Sequence, residues 1–150
     1  MQKTRVALVG LGFGKYIIDK QILEGPAEPY FELAAVCRRD KEKCDEVAAT
    51  YGVRAYYDIN DLIADESIPV IIDMTGPIGR AERLGRMIEA GKHVMTTKPF
   101  EIDSQAAEEV LVRARELGRA IHLNSPVPSL SDDFRQIEAW REKYDLGRII

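Results

Sequence analysis

The fold is decided by the stretch Val6-Ala7-Leu8-Val9-Gly10-Leu11-Gly12-Phe13-Gly14-Lys15, in which a short apolar run passes directly into a glycine-rich turn. The following segment, 16–23, is predicted to be helical. In the order strand, turn, helix, Gly10 permits the tight turn and Gly12 lets the backbone approach a pyrophosphate. The third glycine of this fingerprint is expected at Lys15, whereas Gly14 comes one residue early. The stretch predicts a dinucleotide-binding turn that includes Phe13, with a purely structural turn as the alternative.

The rest of the chain alternates short apolar runs with segments of helical spacing. Strands are predicted at 6–9, 33–37, 70–72, 93–95 and 120–123. Between them, apolar residues recur at helical spacing over 44–51, 81–88 and 107–117, and a glycine follows each stripe. Such alternation produces right-handed parallel crossovers. The sequence therefore predicts an α/β fold, a Rossmann-type doubly wound, mostly parallel sheet with helices on both faces.

Composition excludes several classes of protein. The 150 residues suit one domain, and 45% hydrophobic with 31% charged residues is typical of a globular chain. A net charge of −4 argues against a broad nucleic-acid footprint, and no apolar run reaches the roughly 18 residues of a membrane span. Without an export signal, the chain is expected to be cytoplasmic. Cys37 and Cys44 are interpreted as half-buried thiols, and no metal site is expected.

The end of the second predicted strand indicates which dinucleotide would bind. An acidic residue about 20 positions after the fingerprint normally binds the ribose of NAD, whereas arginine accommodates the 2′-phosphate of NADP. Here Arg38, Arg39 and Asp40 follow the strand. Because arginine grips phosphate bidentately and stays charged when partly desolvated, Arg38 and Arg39 favour NADP, with NAD possible. The alternative is a solvated surface pair beside an Asp40 that caps the next helix.

A lysine at a later strand end is the catalytic candidate. The run from His93 leads into Thr96-Thr97-Lys98-Pro99, so Lys98 reaches the ligand edge of the sheet just before a proline that restricts the backbone. A lysine held near a nicotinamide can exchange a proton with a carbinol while hydride passes. The alternative is a lysine on a solvated face.

Three segments together resemble a known family. The segments are Gly10-Leu11-Gly12, Ala90-Gly91-Lys92-His93-Val94 with Lys98-Pro99, and Leu146-Gly147-Arg148-Ile149. They are similar to segments of the glucose–fructose oxidoreductase, inositol dehydrogenase and MocA (Gfo/Idh/MocA) family of NAD(P)-dependent oxidoreductases. The resemblance implies that Lys98 lies beside the nicotinamide and substrate, often before a cis Lys-Pro bond. It also implies cofactor contacts by Thr75, Gly76, Pro77 and Thr97, and places Asn124 near the active site. Thr97 stands where the family usually has a carboxylate.

The resemblance also bears on domain organisation and function. Residues 1–125 are expected to form the NAD(P)-binding domain, and 126–150 a connector, a helix and a strand at 147–150 that lead to a substrate domain. His93 and His122 lie in strand-like runs and are expected in the core. The implied activity is hydride transfer to or from a sugar, cyclitol or related polyol by a homo-oligomeric full-length protein. The alternative is a non-catalytic, dinucleotide-sensing regulator or interaction module of the same fold.

Overall fold

The computed structural model describes residues 2–124 and 132–145. Its strands are β1 (Thr4–Val9), β2 (Phe31–Cys37), β3 (Arg54–Tyr56), β4 (Val70–Asp73), β5 (His93–Thr97) and β6 (Ile121–Asn124). Its helices are α1 (Leu11–Ile17), α2 (Lys41–Tyr51), α3 (Ile59–Ala64), α4 (Arg80–Glu89), α5 (Ser104–Glu116) and α6 (Asp132–Tyr144), and α1 continues as a π-helical segment, Ile18–Leu23. The strands form one sheet in the order β3-β2-β1-β4-β5-β6, and every neighbouring pair is parallel. The predicted Rossmann-type α/β fold is confirmed.

The central strand β1 is apolar on both sides because helices cover both faces of the sheet. Val6 and Leu8 pack with α1 and α2 in one core. Ala7 and Val9 point the other way and pack with α3, α4 and α5 in a second core. This period-two alternation within a continuous apolar run is typical of a parallel sheet buried on both faces.

The predicted helix boundaries agree with the capping residues. Asp40 caps α2, where its carboxylate accepts a hydrogen bond from the Lys43 backbone N–H at 3.2 Å, and Gly52 ends the helix in the left-handed conformation. Gly91 and Gly118 follow α4 and α5 with positive φ angles of 81° and 64°. The three predicted helical stripes are therefore confirmed, except that Leu111 of α5 is exposed.

Two elements and one boundary differ from the prediction. α1 begins at Leu11 rather than at residue 16, so Gly12 and Gly14 lie inside the helix. β3 and α3 were not predicted, because each is short and β3 has no fully buried side chain to mark it as a strand. Such short elements gain their stability from tertiary contacts more than from local pattern.

The histidine prediction is only half right. His93 is half-buried, and its Nδ1 accepts a hydrogen bond from the Ala120 backbone N–H at 3.0 Å. His122 is exposed, which corrects the expectation of a core histidine, because β6 is an edge strand whose middle residues are not covered by the described helices. Cys37 and Cys44 are fully buried rather than half-buried as expected, because Cys37 packs in the core on one face of the sheet and Cys44 in the core on the other. Burial raises the pKa of the Cys37 thiol to about 12.

The C-terminal predictions are met only within α6. That helix exposes the apolar side chains of Ile137, Trp140 and Tyr144. The predicted connector at 126–131 and the predicted strand at 147–150 fall outside the described residues. Within residues 2–124 and 132–145, no helix combines the length and apolar character that crossing a bilayer requires.

A polar network closes the amino-terminal edge of the sheet. The Asp65 carboxylate accepts hydrogen bonds from the Ser67 backbone N–H at 2.9 Å and the Tyr56 hydroxyl at 2.7 Å, and pairs with Arg54 at 2.8 Å. These partners hold the pKa of Asp65 well below its usual range. The buried Lys92 ammonium donates to the carbonyl oxygens of Asp65 at 2.6 Å and Ile68 at 3.0 Å.

Replacing Gly14 should test the packing of α1 on β1. A Cβ at Gly14 would lie 2.3 Å from Cδ2 of the fully buried Leu8, so we expect Gly14→Ala to lower the free energy of unfolding by about 1–3 kcal/mol. Gly12→Ala is the matched control, because a Cβ there would meet no atom of the described residues within 4 Å apart from its chain neighbours and its own helix backbone. Denaturant titrations measure both. Equal stability of the two variants would contradict the assigned contact.

The Asp65 network should make stability depend on pH. Because folding lowers its pKa, the Asp65 carboxylate stabilises the fold at neutral pH, and this contribution declines as the pH falls below about 4, where the carboxyl protonates in the unfolded chain. Asp65→Asn should therefore lower the unfolding midpoint at pH 7 more than at pH 3. Glu89→Gln, which removes an exposed pair with Arg113, is the control with little expected effect. A midpoint difference that does not change with pH would refute the assignment.

Candidate functional site

The register of the sheet brings the predicted site residues to one edge. Val9 of β1 lies beside Asp73 of β4, Asp73 beside Thr96 of β5, and Thr97 beside Asn124 of β6. The segments that follow these residues therefore emerge at the same carboxyl-terminal edge. In open α/β sheets this edge, at the point where strand order reverses between β1 and β4, is where ligands bind.

Gly10 makes the turn at that reversal point. It has a φ of 87°, and a Cβ there would lie 2.8 Å from the backbone carbon of Met74. The Met74 N–H donates to the Val9 carbonyl at 2.8 Å, so the ends of β1 and β4 are held together. Only glycine suits both the left-handed conformation and this close approach.

A cavity of about 460 Å³ opens on one side of the turn. Gly10, Thr75 and Arg39 all line it. Arg39 is exposed, and its guanidinium has no hydrogen-bond or ion-pair partner among the described residues. Arg38 does not line this cavity. The remaining lining residues are Val9, Cys37, Tyr57, Asp58, Ile59, Asn60, Arg83 and Arg86.

A larger cavity of about 640 Å³ opens on the other side of the turn. The predicted residues Phe13, Thr97, Lys98 and Asn124 line one part of it. His122 and Tyr16, which were not predicted to be site residues, line it as well, and the Tyr16 ring stacks on Phe13 with centroids 5.6 Å apart. The rest of the cavity runs along the sheet face over Val6, Ile17, Gln21, Ile22, Ala27, Phe31, Val70, Ile72 and Met95.

Five predicted residues line neither cavity. Gly12 and Gly76 each leave open space where a Cβ would be, so a ligand can approach their backbone. Gly14, in contrast, is not open to a ligand, because it packs against the Leu8 side chain. Arg38 and Pro77 are half-buried, and each lies within two residues in the chain of a residue that lines the smaller cavity, Arg39 and Thr75 respectively. Thr97 donates from Oγ1 to the Asn124 carbonyl at 3.3 Å, so this hydroxyl ties β5 to β6 where a carboxylate was expected from the resemblance.

The buried guanidinium of Arg80 joins two loops of the site. This side chain is only 1% exposed. It donates to the Thr97 carbonyl at 2.6 Å and to the Pro99 carbonyl, on either side of Lys98, and also to the Thr75 carbonyl in the loop after β4. The Lys98–Pro99 peptide bond is cis. Burial lowers the pKa of Arg80, while Asp73 and Glu101 act in the opposite direction.

The ion pair between Asp73 and Arg83 holds the loop after β4. Asp73 is fully buried at the end of that strand, and its carboxylate accepts hydrogen bonds from the backbone N–H of Thr75 at 2.9 Å and from the Thr75 hydroxyl. Arg83 approaches Asp73 at 3.4 Å and donates to the Thr75 hydroxyl at 2.6 Å and the Gly76 carbonyl at 2.7 Å. The backbone around Thr75 and Gly76 is therefore held by charged groups on both sides.

The beginning of α4 is held from the opposite direction. Glu101 accepts hydrogen bonds from the Ala81 backbone N–H at 2.8 Å and from the Ile102 N–H at 2.7 Å. The first of these bonds is the larger cause of a lowered pKa at Glu101. A carboxylate at a helix N-terminus is favoured by the unpaired N–H groups there. α4 and the segment after Lys98 thus hold each other in place.

Sequence reasoning missed Asp73, Arg80 and Arg83. A signal was present for Arg80, because it precedes Leu84 and Met87 by four and seven residues and so continues the apolar stripe of α4. A charged residue on such a stripe is buried only when it is satisfied by hydrogen bonds. Which carbonyl groups satisfy it depends on the path of a loop 17 to 20 residues away, and the sequence pattern does not reveal that path.

Comparisons with known proteins agree with this architecture. The model of the family described as "Oxidoreductase family, NAD-binding Rossmann fold", GFO_IDH_MocA, matches residues 4–125. The scyllo-inositol 2-dehydrogenase (NADP(+)) IolU of Bacillus subtilis is 27% identical over 116 residues, which are 76% of this chain and 34% of that protein. The chain thus spans about a third of the length of this curated relative.

Two solved structures share the fold. The 3-ketoreductase KijD10 of Actinomadura kijaniata, in complex with TDP-benzene and NADP, has a TM-score of 0.83 at 22% identity over 99% of this chain and 46% of its own. The WlbA dehydrogenase of Bordetella pertussis, in complex with NADH and UDP-GlcNAcA, has a TM-score of 0.84 at 21% identity over 99% and 44%. With the family model matching most of its length, the chain belongs to the Gfo/Idh/MocA family of oxidoreductases, as an NAD(P)-binding Rossmann domain.

Proposed function

We propose that this chain is the cofactor domain of an NADP-preferring dehydrogenase that transfers hydride to or from a sugar, cyclitol or related polyol. The observation that carries the proposal is the Arg39 guanidinium, which has no partner among residues 2–124 and 132–145 and lines the cavity bordered by Gly10 and Thr75. Residues 1–125 would bind the dinucleotide, and 126–150 would lead to the domain that binds the substrate. The NADP-dependent inositol dehydrogenase among the relatives supports both the cofactor and the substrate class.

The smaller cavity suits the adenosine end of the dinucleotide. In doubly wound folds this end lies beside the second strand, where an arginine can bind the 2′-phosphate. Arg39 lines the cavity together with Arg83 and Arg86 from α4, so three guanidinium groups there outnumber the one carboxylate, that of Asp58. This local charge explains how a chain with a net charge of −4 can bind an anion.

The larger cavity suits the nicotinamide end. Phe13 and Tyr16 offer stacked aromatic rings, and Lys98, Asn124 and Thr97 provide polar groups at the same opening. Bound NADP would supply the hydride acceptor of the reaction. Lys98 would hold the substrate hydroxyl at its Nζ and exchange the proton that leaves or returns as the carbinol is oxidised or formed.

The second candidate is a dinucleotide-sensing regulator without turnover. It is favoured by Thr97, whose hydroxyl bonds to the Asn124 carbonyl where the resemblance implies a carboxylate. The two candidates share the dinucleotide site and differ only in whether a substrate reacts at Lys98.

Charge reversal at the end of β2 should change the affinity for NADPH more than the affinity for NADH. Arg39→Asp should weaken NADPH binding by roughly 10- to 100-fold, since it removes charge-assisted hydrogen bonds worth about 1.5–3 kcal/mol, and should leave NADH affinity nearly unchanged. Arg38→Asp, outside the cavity, is the paired variant and should have a smaller effect. Titrations of nicotinamide fluorescence measure both affinities. An unchanged NADPH/NADH ratio in both variants would refute the phosphate site.

Replacing Lys98 should distinguish the dehydrogenase hypothesis from the regulator hypothesis. In the protein expressed from its complete reading frame, Lys98→Ala should lower polyol-dependent NADP reduction by about 10²–10⁴-fold while NADPH affinity stays within about threefold. Lys98→Arg keeps the charge but cannot release a proton at neutral pH, so it should be similarly slow. Assays with scyllo-inositol, myo-inositol and glucose cover the substrate class. Saturable NADPH binding by the wild type with no turnover of any of these substrates would contradict the proposed dehydrogenase activity on this substrate class and favour the regulator.

A further inference from the structure

We infer that Arg80 is a positioning residue, which sets the two loops of the dinucleotide site relative to each other and orients Lys98 between them. The identity of the ligand as a dinucleotide rests on the proposed function. The positioning of the loops rests only on the contacts of the Arg80 side chain. Neither the sequence motifs of the site nor its two cavities include Arg80.

The contacts of Arg80 bracket the catalytic candidate. Nη1 donates to the carbonyl oxygens of Thr97 and Pro99, the residues immediately before and after Lys98, and reaches Phe100 at 3.2 Å. With both flanking carbonyl groups turned towards the buried guanidinium, the Lys98 side chain is left exposed at the larger cavity. Arg80 thus restrains the Thr97–Lys98 and Pro99–Phe100 peptide groups, which enclose Lys98 and Pro99, without a hydrogen bond to the Lys98 ammonium.

The second nitrogen of the same group holds the other loop. Nη2 donates to the Thr75 carbonyl, and Thr75 lines the smaller cavity. One planar guanidinium therefore spans the end of β4 and the end of β5, beside both proposed halves of the cofactor. Its rigid fork of donors makes this possible, whereas a lysine ammonium offers its donors from a single atom.

Other bonds that do not involve Arg80 should preserve the fold when this residue is replaced. Glu101 still accepts from the Ala81 N–H, and Asp73 with Arg83 still holds Thr75. Leu84, Met87 and Ile88 anchor α4 in the core. Loss of Arg80 should therefore loosen the two loops locally.

Arg80→Met tests the inference, and Lys92→Met is a matched control. Lys92 is also a buried cation that donates to backbone carbonyl groups, but it lies at the opposite edge of the sheet. Both variants should lower the melting temperature of the protein expressed from its complete reading frame. Only Arg80→Met should speed hydrogen exchange in segments 75–78 and 97–100, measured by mass spectrometry. Only Arg80→Met should weaken NADPH binding, by about tenfold.

The rate of Lys98 acetylation, measured by peptide mass spectrometry with the exposed Lys20 as the internal reference, adds a direct readout of the orientation of Lys98. Saturating NADPH should protect Lys98 in the wild type and in Lys92→Met, and should protect it much less in Arg80→Met at equal saturation. If Arg80→Met does not fold, Arg80→Lys is tested in its place. Its hydrogen exchange, NADPH affinity and Lys98 protection should change in the same direction by smaller amounts.

The outcomes separate this inference from the proposed function. The positioning role would be overturned if hydrogen exchange and NADPH affinity in the Arg80 variant equalled those of the wild type, or if Lys92→Met changed both as much as Arg80→Met does. Either result would leave the proposed function standing. If the wild type shows no saturable NADPH binding but Arg80→Met still speeds exchange in both loops and Lys92→Met does not, the positioning role is supported and the proposed function falls.

Discussion

The arrangement of the site depends on one buried cation that bonds to backbone carbonyl groups. Arg80 is almost completely withdrawn from solvent, and a charge in that position destabilises a fold unless hydrogen bonds replace its hydration. Here the replacement comes from the loops after β4 and β5. Through Nη1 and Nη2 this guanidinium therefore holds both loops, one of them on either side of Lys98, together with the bonds of Asp73, Arg83 and Glu101.

The second constraint is the close approach of β1 and β4. The sheet reverses its strand order between them, and Gly10 is the residue that lets the backbone turn there without a clash against Met74. Cavities open on both sides of this turn, one with Arg39 and one with Lys98. The proposed dinucleotide would cross this turn and contact residues of both cavities.

Charge is distributed unevenly over this acidic chain. Arg39, Arg83 and Arg86 line one cavity at the carboxyl edge, whereas Asp65 and Lys92 complete a network at the opposite edge. The first group leaves a cation available at the surface, and the second is satisfied within the fold. Two buried cations that donate to backbone carbonyl groups, Lys92 and Arg80, thus lie at opposite edges of one sheet, and only Arg80 adjoins the proposed ligand site.

Sequence alone determined the fold class, because apolar runs of strand length and stripes of helical spacing report burial directly. It also determined that Gly10, Arg39, Thr75 and Lys98 would meet at one edge, since parallel strands all end there. It did not reveal β3, the exposure of His122, or which arginine faces the cavity. Those properties, and the role of Arg80, were decided by tertiary structure, because they depend on which distant backbone groups approach a side chain once the sheet has formed.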